Sequence, residues 1–398
     1  MSTSGTDSAA GPSGNSRWTL IRGARQLLTL RGASGPRRGS AMTDLSIISD
    51  GAVLIRDGVI EEVGATRRVE NLVPARSARV IDATGRVVMP AFVDPDIALA
   101  ASHAAADGIS GEPDIRRISR HRLEAMAAAL AADLARYGVL TVGAHTLAAP
   151  DLQNTNKALR LHQTMQARPL RIRSVFSPPT DSVSDVWMTS VFRKKLASIL
   201  EIPVKSDDVA AASLMATAAA TAGYNIRLRV SGTTTPKVLE LAYSAGAVAL
   251  IGQVPVSSEM TRALGDAGCV KVLLTTRILA GLSMPVRSAI DDGTPIALGS
   301  GYQHDRAASM NPQFLLHLAC QALEMTVEEA IVAATYNAAY SLRLSHVTGS
   351  LAPGKAADLC IVDIDNYRDL ARRAGHHDVC MVMRAGKVIY RRPNLTAE

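Results

Sequence analysis

Between residues 91 and 344 the chain alternates helix-like segments with short apolar runs, and this order restricts the fold more than any other feature. An alanine-rich segment, 122–137, ends at Gly138, where a glycine commonly terminates a helix, and the apolar run 139–142 follows. The same order recurs for 207–222 with 225–230, for 237–245 with 247–251, and for 258–267 with 270–274.

Repeated helix-then-strand units favour a parallel sheet, and roughly 250 residues is the usual span of an eight-unit barrel. We therefore predict an α/β fold with a TIM-type (β/α)8 barrel. An open doubly wound sheet is the alternative, although no G-x-G-x-x-G motif follows any of the strand-like runs.

Short strand-like runs also flank this region on both sides, and Asp57-Gly58 between two of them predicts a hairpin turn. They lie at 18–21, 26–30, 52–55 and 59–63 before it, and at 358–363, 379–383 and 387–390 after it. We predict a small β-sandwich domain assembled from both termini. The expected boundaries are a disordered tail over 1–16, sandwich parts over 17–90 and 345–398, and the barrel over 91–344.

The run 87–99 is expected to open the barrel, because it is apolar, broken by prolines, and suited to a strand buried on both faces. Its frame, PAFVDP at 90–95, resembles the first barrel strand of the amidohydrolase superfamily, where two histidines in a His-x-His pair follow and hold a divalent metal. Side chains at 96 and 98 share one strand face. In this chain Asp96 and Ala98 stand where the resemblance implies the two histidines.

Later stretches follow the same family order and resemble the imidazolonepropionases within the superfamily. Residues 292–302 (DDGTPIALGSGY) resemble that family's eighth barrel strand, and 349–359 (GSLAPGKAADL) is the most specific match. The resemblance extends from about Trp18 to Pro393. It implies a hydrolase acting on carbon–nitrogen bonds of cyclic amides.

The family's metal-binding positions carry other residues in this chain. Besides Asp96 and Ala98, the later histidines fall on Arg229 and Gly252, and the aspartate of the eighth strand falls on Gly301. The family usually binds one divalent metal such as zinc or iron. Such an ion needs several His or carboxylate ligands and an open position for water. We therefore expect no metal cofactor and a degenerate metal site.

Seven residues remain as candidates for the site. The catalytic candidates are Asp96, His145, Glu201 and His304, and the ligand-binding candidates are Arg229, Tyr302 and Gln303. The two histidines are expected near the carboxyl ends of strands, where barrel enzymes place their chemistry, and each could act as a general base. The alternative for each is a hydrogen-bonded loop histidine. Asp96 and Arg229 are expected to form an ion pair in place of the metal.

These positions leave three functions open. The first is a non-catalytic pseudoenzyme that binds a small polar or anionic molecule. The second is an atypical, metal-independent hydrolase of C–N bonds in cyclic amides. The third is a structural subunit that stabilises an active homologue, and a homo-oligomer is also left open.

Charge and cysteine content exclude several other classes. The net charge is +7, but six arginines and one aspartate within residues 1–43 account for most of it, and aromatic residues make up only 4%. We therefore expect no nucleic-acid surface. No apolar run approaches the roughly 20 residues of a membrane span, and no secretory signal is readable, so a cytoplasmic location is expected. Four scattered cysteines indicate neither disulfides nor a thiolate zinc site.

Overall fold

A computed structural model gives the structure of the protein and describes residues 17–100, 115–146, 151–166, 169–178, 185–205, 209–253, 259–279, 285–302 and 309–393. The tail over 1–16 and the candidates Gln303 and His304 lie outside the described residues.

In the described ranges the strands form two separate eight-stranded sheets. The first contains β1 (Trp18–Leu28), β2 (Ile47–Arg56), β3 (Val59–Ala65), β4 (Arg79–Asp82), β5 (Val87–Pro90), β14 (Leu359–Val362), β15 (Val379–Arg384) and β16 (Lys387–Arg391). The second contains β6 (Phe92–Ile97), β7 (Val139–His145), β8 (Arg171–Phe176), β9 (Ile199–Lys205), β10 (Asn225–Ser231), β11 (Ala249–Ile251), β12 (Val270–Leu274) and β13 (Ile296–Gly299).

Helices follow most strands of the second sheet. The described α-helices are α1 (Thr66–Val69), α2 (Arg120–Arg136), α3 (Leu152–Met165), α4 (Asp185–Arg193), α5 (Ala210–Thr221), α6 (Pro236–Ser244), α7 (Glu259–Asp266), α8 (Thr275–Leu279), α9 (Val286–Asp291), α10 (Pro312–Ala322), α11 (Val327–Ala333) and α12 (Tyr336–Ser341). Short 3-10 helices occur at Gly39–Thr43, Val73–Ser77 and Tyr367–Ala371. Among the described helices, none has both the length and the apolar character needed to cross a membrane.

The second sheet is a parallel, nearly closed barrel whose strands pair in chain order from β6 to β13. Its two ends meet where Ile97 and Tyr302 form a parallel bridge, and the backbone N–H of Ala98 donates to the carbonyl of Tyr302 at 2.8 Å. The barrel prediction is therefore confirmed, and the open-sheet alternative is wrong.

The first sheet joins the two ends of the chain, as the sequence predicts. Its order is β16-β15-β14-β5-β1-β2-β3, with β4 beside β1, so the C-terminal strands extend the N-terminal ones in one mixed sheet. The junction is the antiparallel pair β5–β14, in which Pro90 lies opposite Leu359 and Val87 opposite Val362. Because β6 begins two residues after β5, this sheet leads directly into the barrel.

Local signals in the sequence set the ends of the helices around the barrel. The Ser119 hydroxyl accepts a hydrogen bond from the Arg122 N–H at the start of α2, and Gly138 follows the helix with a φ of +86°. The side chains of Leu123, Leu130 and Leu134 are buried in the same apolar cluster as the outer face of β7. The helix therefore covers the barrel wall and leaves the opposite strand face to the interior.

Candidate functional site

A cluster of four charged side chains lies inside the barrel. Asp96 comes from β6, Glu201 from β9, and Arg227 and Arg229 from β10. The two arginines project to the same side because strand side chains alternate, and Leu228 between them packs in an apolar cluster with the outer helices. The side chains of Asp96, Glu201 and Arg227 are 0%, 1% and 1% exposed, and that of Arg229 is 17% exposed.

All three guanidinium nitrogens of Arg227 donate hydrogen bonds. Its Nε donates to Glu201 Oε2 at 2.7 Å, its Nη2 to Asp96 Oδ1 at 2.9 Å, and its Nη1 to the carbonyl of Pro95 at 2.8 Å. Glu201 is also the register neighbour of Arg227 across the β9–β10 pair. The guanidinium thus joins three strands of the barrel.

Arg229 binds the same two carboxylates. Its Nε donates to Glu201 Oε1 at 2.8 Å and its Nη2 to Glu201 Oε2 at 3.0 Å, and Nη2 also donates to Asp96 Oδ1. The ion pair expected between Asp96 and Arg229 is therefore present. The sequence reading missed Arg227, although the period of two along a strand places it on the face of Arg229.

The formal charges of the cluster sum to zero, with two guanidinium groups against two carboxylates. Burial alone raises the pKa of the Glu201 carboxyl, but Arg227 and Arg229 outweigh this effect and hold that pKa below its ordinary value. Burial lowers the pKa of Arg229, and Asp96 and Glu201 reverse this and raise it. Glu201 and Arg229 are therefore charged at neutral pH.

Two groups beside the cluster have polar atoms without partners. Asp96 Oδ2 and both ring nitrogens of His145 are buried and make no hydrogen bond to the described residues. His145 is the last residue of β7 and is 2% exposed, so the alternative of a hydrogen-bonded loop histidine does not hold for it. Burial lowers the pKa of the His145 imidazole to about 4 against the opposing effect of Asp96, so the ring is neutral at pH 7.

Hydroxyl groups support the cluster at the ends of β7 and β8. Ser177 Oγ donates to Glu201 Oε1 at 3.0 Å. The N–H of Ser177 donates to Thr146 Oγ1 at 3.0 Å, and that hydroxyl donates to the Ser177 carbonyl at 3.1 Å. These hydrogen bonds fix one carboxylate oxygen of Glu201, and the sequence contained no motif that singled out Ser177.

Asp94 is a further buried carboxyl on the inner face of β6. Its Oδ1 accepts hydrogen bonds from the N–H groups of Asp96 and Ser300, each at 3.1 Å. Burial raises the pKa of Asp94 to about 7, against the effect of the Ser300 hydrogen bonds. Asp94 therefore fixes the backbone of β6 beside β13 and lies outside the ion-paired cluster.

Tyr302 occupies a different environment from the charged cluster. It is 8% exposed, belongs to the apolar cluster that contains Leu130 and Leu134 of α2, and closes the barrel through its backbone. Burial, with a smaller effect from Asp133, raises the pKa of its hydroxyl. The structure thus brings together Asp96, Glu201, Arg229 and His145, and places Tyr302 against α2.

The comparison with known proteins agrees with the architecture. The protein-family model described as "Amidohydrolase family" matches residues 211–389. An imidazolonepropionase of Solibacter usitatus is 31% identical, with 94% of this chain and 99% of the relative covered. The chain belongs to the amidohydrolase superfamily. A second imidazolonepropionase, of Geobacillus kaustophilus, is 30% identical and covers 93% of this chain and 97% of its own. Within the superfamily the chain is therefore imidazolonepropionase-like.

Solved structures of the superfamily's fold match nearly the whole chain. Ochratoxinase of A. niger has a TM-score of 0.71 at 16% identity and covers 96% of this chain and 97% of its own. N-isopropylammelide isopropylaminohydrolase of Burkholderia multivorans has a TM-score of 0.72 at 18% identity, with 94% and 98% covered. At these identities the likeness establishes the fold alone.

Two of the positions that the superfamily resemblance assigns to metal ligands have backbones suited to glycine. Gly252 has a φ of +142°, and a Cβ there would lie 2.9 Å from the carbonyl oxygen of Val230. Gly301 has a φ of +64°, and its Cβ would lie 2.9 Å from Thr276 Oγ1. Side chains at these positions would be strained whatever their chemistry.

The donor set in the barrel differs from that of a divalent metal site. Within the described ranges, no group of three or more His, Cys, Asp or Glu side chains is arranged to hold a metal ion. The carboxylates of Asp96 and Glu201 are instead shared by the guanidinium groups of Arg227 and Arg229. The described residues therefore do not fit the metal that the family binds.

Proposed function

We propose that this imidazolonepropionase-like protein is a non-catalytic member of the amidohydrolase superfamily, with a degenerate metal site, that binds a small polar molecule inside its barrel. The main support for this proposal is that Arg227 and Arg229 bind both Asp96 and Glu201. A divalent cation would have to compete with two fixed positive groups for these carboxylates, and guanidinium groups provide no ligand lone pair.

The ion-paired cluster is costly to open, which supports its assignment as the permanent replacement of a metal centre. Removing one partner of a buried ion pair leaves an uncompensated charge and costs about 3–5 kcal/mol. An incoming cation that displaced Arg227 would pay a similar penalty, because this side chain is 1% exposed and bonded on all three nitrogens. We infer that the cluster stays closed in the working protein.

A neutral polar ligand suits the site better than an anion. The cluster has no net formal charge, so an anion would gain little from the two arginines. The unpaired atoms are an acceptor, Asp96 Oδ2, and the neutral imidazole of His145, which offers one donor and one acceptor. A buried polar atom without a partner costs about 1–3 kcal/mol, and a ligand with adjacent N–H and C=O groups would satisfy these atoms.

A metal-independent hydrolase of cyclic amides is the second candidate function. The unpaired His145 imidazole favours it, because such a group could accept a proton from water. Two features weaken it. The pKa of His145, lowered to about 4, makes it a weak base at neutral pH, and the arginines keep Glu201 ionised and unable to donate a proton.

The test of the proposal is a ring-opening assay with imidazolonepropionate and related cyclic amides. The full chain is compared with the Geobacillus kaustophilus relative as positive control. We expect turnover by the relative and none by this chain above the blank. Turnover by this chain would overturn the non-catalytic assignment, and its loss in His145→Gln would establish the second candidate instead.

The ligand half of the proposal is tested by thermal shift, with hydantoin as a neutral cyclic amide probe and succinate as an anionic one. We expect hydantoin alone to raise the melting temperature, and His145→Gln to reduce the shift because one buried partner is lost. A shift with succinate but not hydantoin would contradict the neutral-ligand assignment. No shift with either probe would count against this ligand class.

A further inference from the structure

A groove outside the barrel lies between α2 and α3 and is separate from the ion-paired cluster. Its cavity volume is about 870 Å³. Both helices follow strands of the parallel sheet, α2 after β6 and α3 after β7, so their N-terminal ends lie towards the carboxyl edge of the barrel. A volume of this size is typical of small-molecule sites.

Cationic side chains predominate in the groove. Arg116, Arg120, Lys157 and Arg160 line it, against two carboxylates, Glu124 and Asp151. The formal charge of its lining is therefore +2. Amide side chains of 153, 154 and 156 complete the polar part of the lining and add hydrogen-bond donors.

Both carboxylates of the groove already accept hydrogen bonds from neighbouring side chains or backbone. Glu124 Oε1 accepts a hydrogen bond from Arg120 Nε at 2.7 Å. Asp151 caps the N-terminus of α3, where it accepts from the N–H and the side-chain amide of Asn154, each at 2.9 Å. These contacts leave both acids less able to neutralise Arg160.

The cationic side chains of the groove differ in how many of their nitrogens already donate hydrogen bonds. Lys157 Nζ donates to the carbonyls of Ile115 and Ile118 and so ties the chain before α2 to α3. Arg160 is exposed, and its guanidinium makes no hydrogen bond or ion pair with the described residues. Arg120 is 73% exposed in its side chain and uses Nε for Glu124, which leaves its two terminal nitrogens for another acceptor.

From this geometry we propose that the groove binds a small multivalent anion that carries phosphate or carboxylate groups. The planar guanidinium fork matches both groups with paired hydrogen bonds. Arg120 on α2 and Arg160 on α3 would contact the anion from the two sides of the groove. The proposal does not depend on the ligand of the barrel interior.

The test is isothermal titration of the full chain at low ionic strength with two probes, inorganic pyrophosphate and citrate. We expect at least one probe to bind, and the double variant Arg120→Gln with Arg160→Gln to weaken that binding roughly tenfold, because charge-assisted hydrogen bonds are lost. If only pyrophosphate binds, the anion recognised by the groove carries phosphate groups. If only citrate binds, it carries carboxylate groups.

The matched control is Arg76→Gln, which removes an exposed arginine from Val73–Ser77, away from the groove. It lowers the net charge without touching the lining, so we expect its affinity to stay within about twofold of the unmodified chain. The proposal is overturned if neither probe binds, if the double variant binds as well as the unmodified chain, or if Arg76→Gln weakens binding equally. Unchanged melting temperatures without ligand show that the variants fold.

Discussion

Arg227 is the more buried of the two arginines inside the barrel. It is 1% exposed and contacts Asp96, Glu201 and the carbonyl of Pro95. Its guanidinium pairs with both buried carboxylates, and a buried charge without a partner is strongly disfavoured. Arg229 alone would have to balance both acids if Arg227 were removed.

We expect Arg227→Ala to lower the free energy of unfolding by about 3–5 kcal/mol, because it leaves a buried carboxylate uncompensated. Urea denaturation followed by circular dichroism measures the change. Arg76→Ala, at an exposed position, is the control and should change the value by no more than about 0.5 kcal/mol. A loss below about 1 kcal/mol for Arg227→Ala would show that the cluster contributes little.

Two neutral histidines make the stability of the protein depend on pH. Burial lowers the pKa of His145 to about 4, and burial together with His145 lowers that of His162, in α3, to about 3. In the unfolded chain each ring binds a proton below about pH 6.5. In the folded chain His145 stays neutral down to about pH 4 and His162 down to about pH 3. Their contribution is therefore present above pH 6.5 and is lost as the pH falls towards 4. Asp94, whose pKa is raised to about 7, opposes this trend, because it is protonated in the folded chain across that interval.

We expect His162→Gln to reduce the loss of stability between pH 7 and pH 5. Glutamine does not titrate, so the variant removes one of the two protons taken up on unfolding, worth at most about 1.4 kcal/mol per pH unit. The measurement is urea unfolding at a series of pH values, with the exposed His346→Gln as control. A slope identical to that of the unmodified chain would show that His162 is protonated or exposed in the folded state.

Residue-level prediction from the sequence succeeded where a family motif fixed the position. The frame around 90–95 located Asp96, and a strand-end match located Arg229, so their ion pair could be predicted. Arg227 has no counterpart in a motif, and its role depends on a barrel register that brings it beside Glu201. Non-local register of this kind cannot be read from one strand alone.

At the scale of elements, the end of β11 has a backbone conformation that suits glycine. Gly252 follows β11 with a φ of +142°, and a Cβ would meet the Val230 carbonyl at 2.9 Å. Placing a histidine there would require β10 or the backbone of Gly252 to move. A histidine at this position would therefore require a change of backbone as well as of side chain.

We expect Gly252→Ala to destabilise the protein by about 1–3 kcal/mol, through backbone strain and the contact with Val230. Gly246→Ala is the matched control, because Gly246 also has a positive φ, +59°, but a Cβ there meets no atom within 4 Å. Thermal and urea unfolding compare the two. Equal losses would mean that the close approach at Gly252 adds nothing to the conformational penalty.

Element types were predictable because the apolar runs and terminating glycines are local signals. The segment 122–137 was expected to be helical, and α2 covers Arg120–Arg136. The segment 207–222 was expected likewise, and α5 covers Ala210–Thr221. The bridge between Ile97 and Tyr302 that brings the barrel ends together was not predictable, since it joins residues far apart in the sequence.

At the scale of the whole molecule, the two sheets are linked by polar contacts as well as by the chain. Arg171, at the start of β8, donates through Nη2 to Asp358 Oδ2 at 3.0 Å, and Asp358 Oδ1 accepts from the N–H of Ala385 at 2.9 Å. Asp358 is 2% exposed and belongs to residues 349–359, the stretch that most specifically resembles the imidazolonepropionases. That run therefore helps hold the barrel against the sheet, a structural role that does not require catalysis.

The whole molecule thus combines the superfamily's architecture with an ion-paired cluster inside the barrel. The imidazolonepropionase-like relatives cover almost the full length of the chain, and the barrel and the sheet from both termini are present. The positions where the resemblance places the metal ligands carry Asp96, Ala98, Arg229, Gly252 and Gly301. A scaffold can persist while its site acquires a different chemistry.

Metal content tests whether Arg227 and Arg229 replace the metal in the barrel. The full chain is purified without chelators, incubated with zinc, iron and manganese salts, passed through a desalting column, and measured by elemental analysis beside the Geobacillus kaustophilus relative. We expect this chain to retain none of the three metals above the buffer level, because guanidinium groups hold the carboxylates. Near-stoichiometric retention of any of them would contradict the replacement of the metal centre by Arg227 and Arg229.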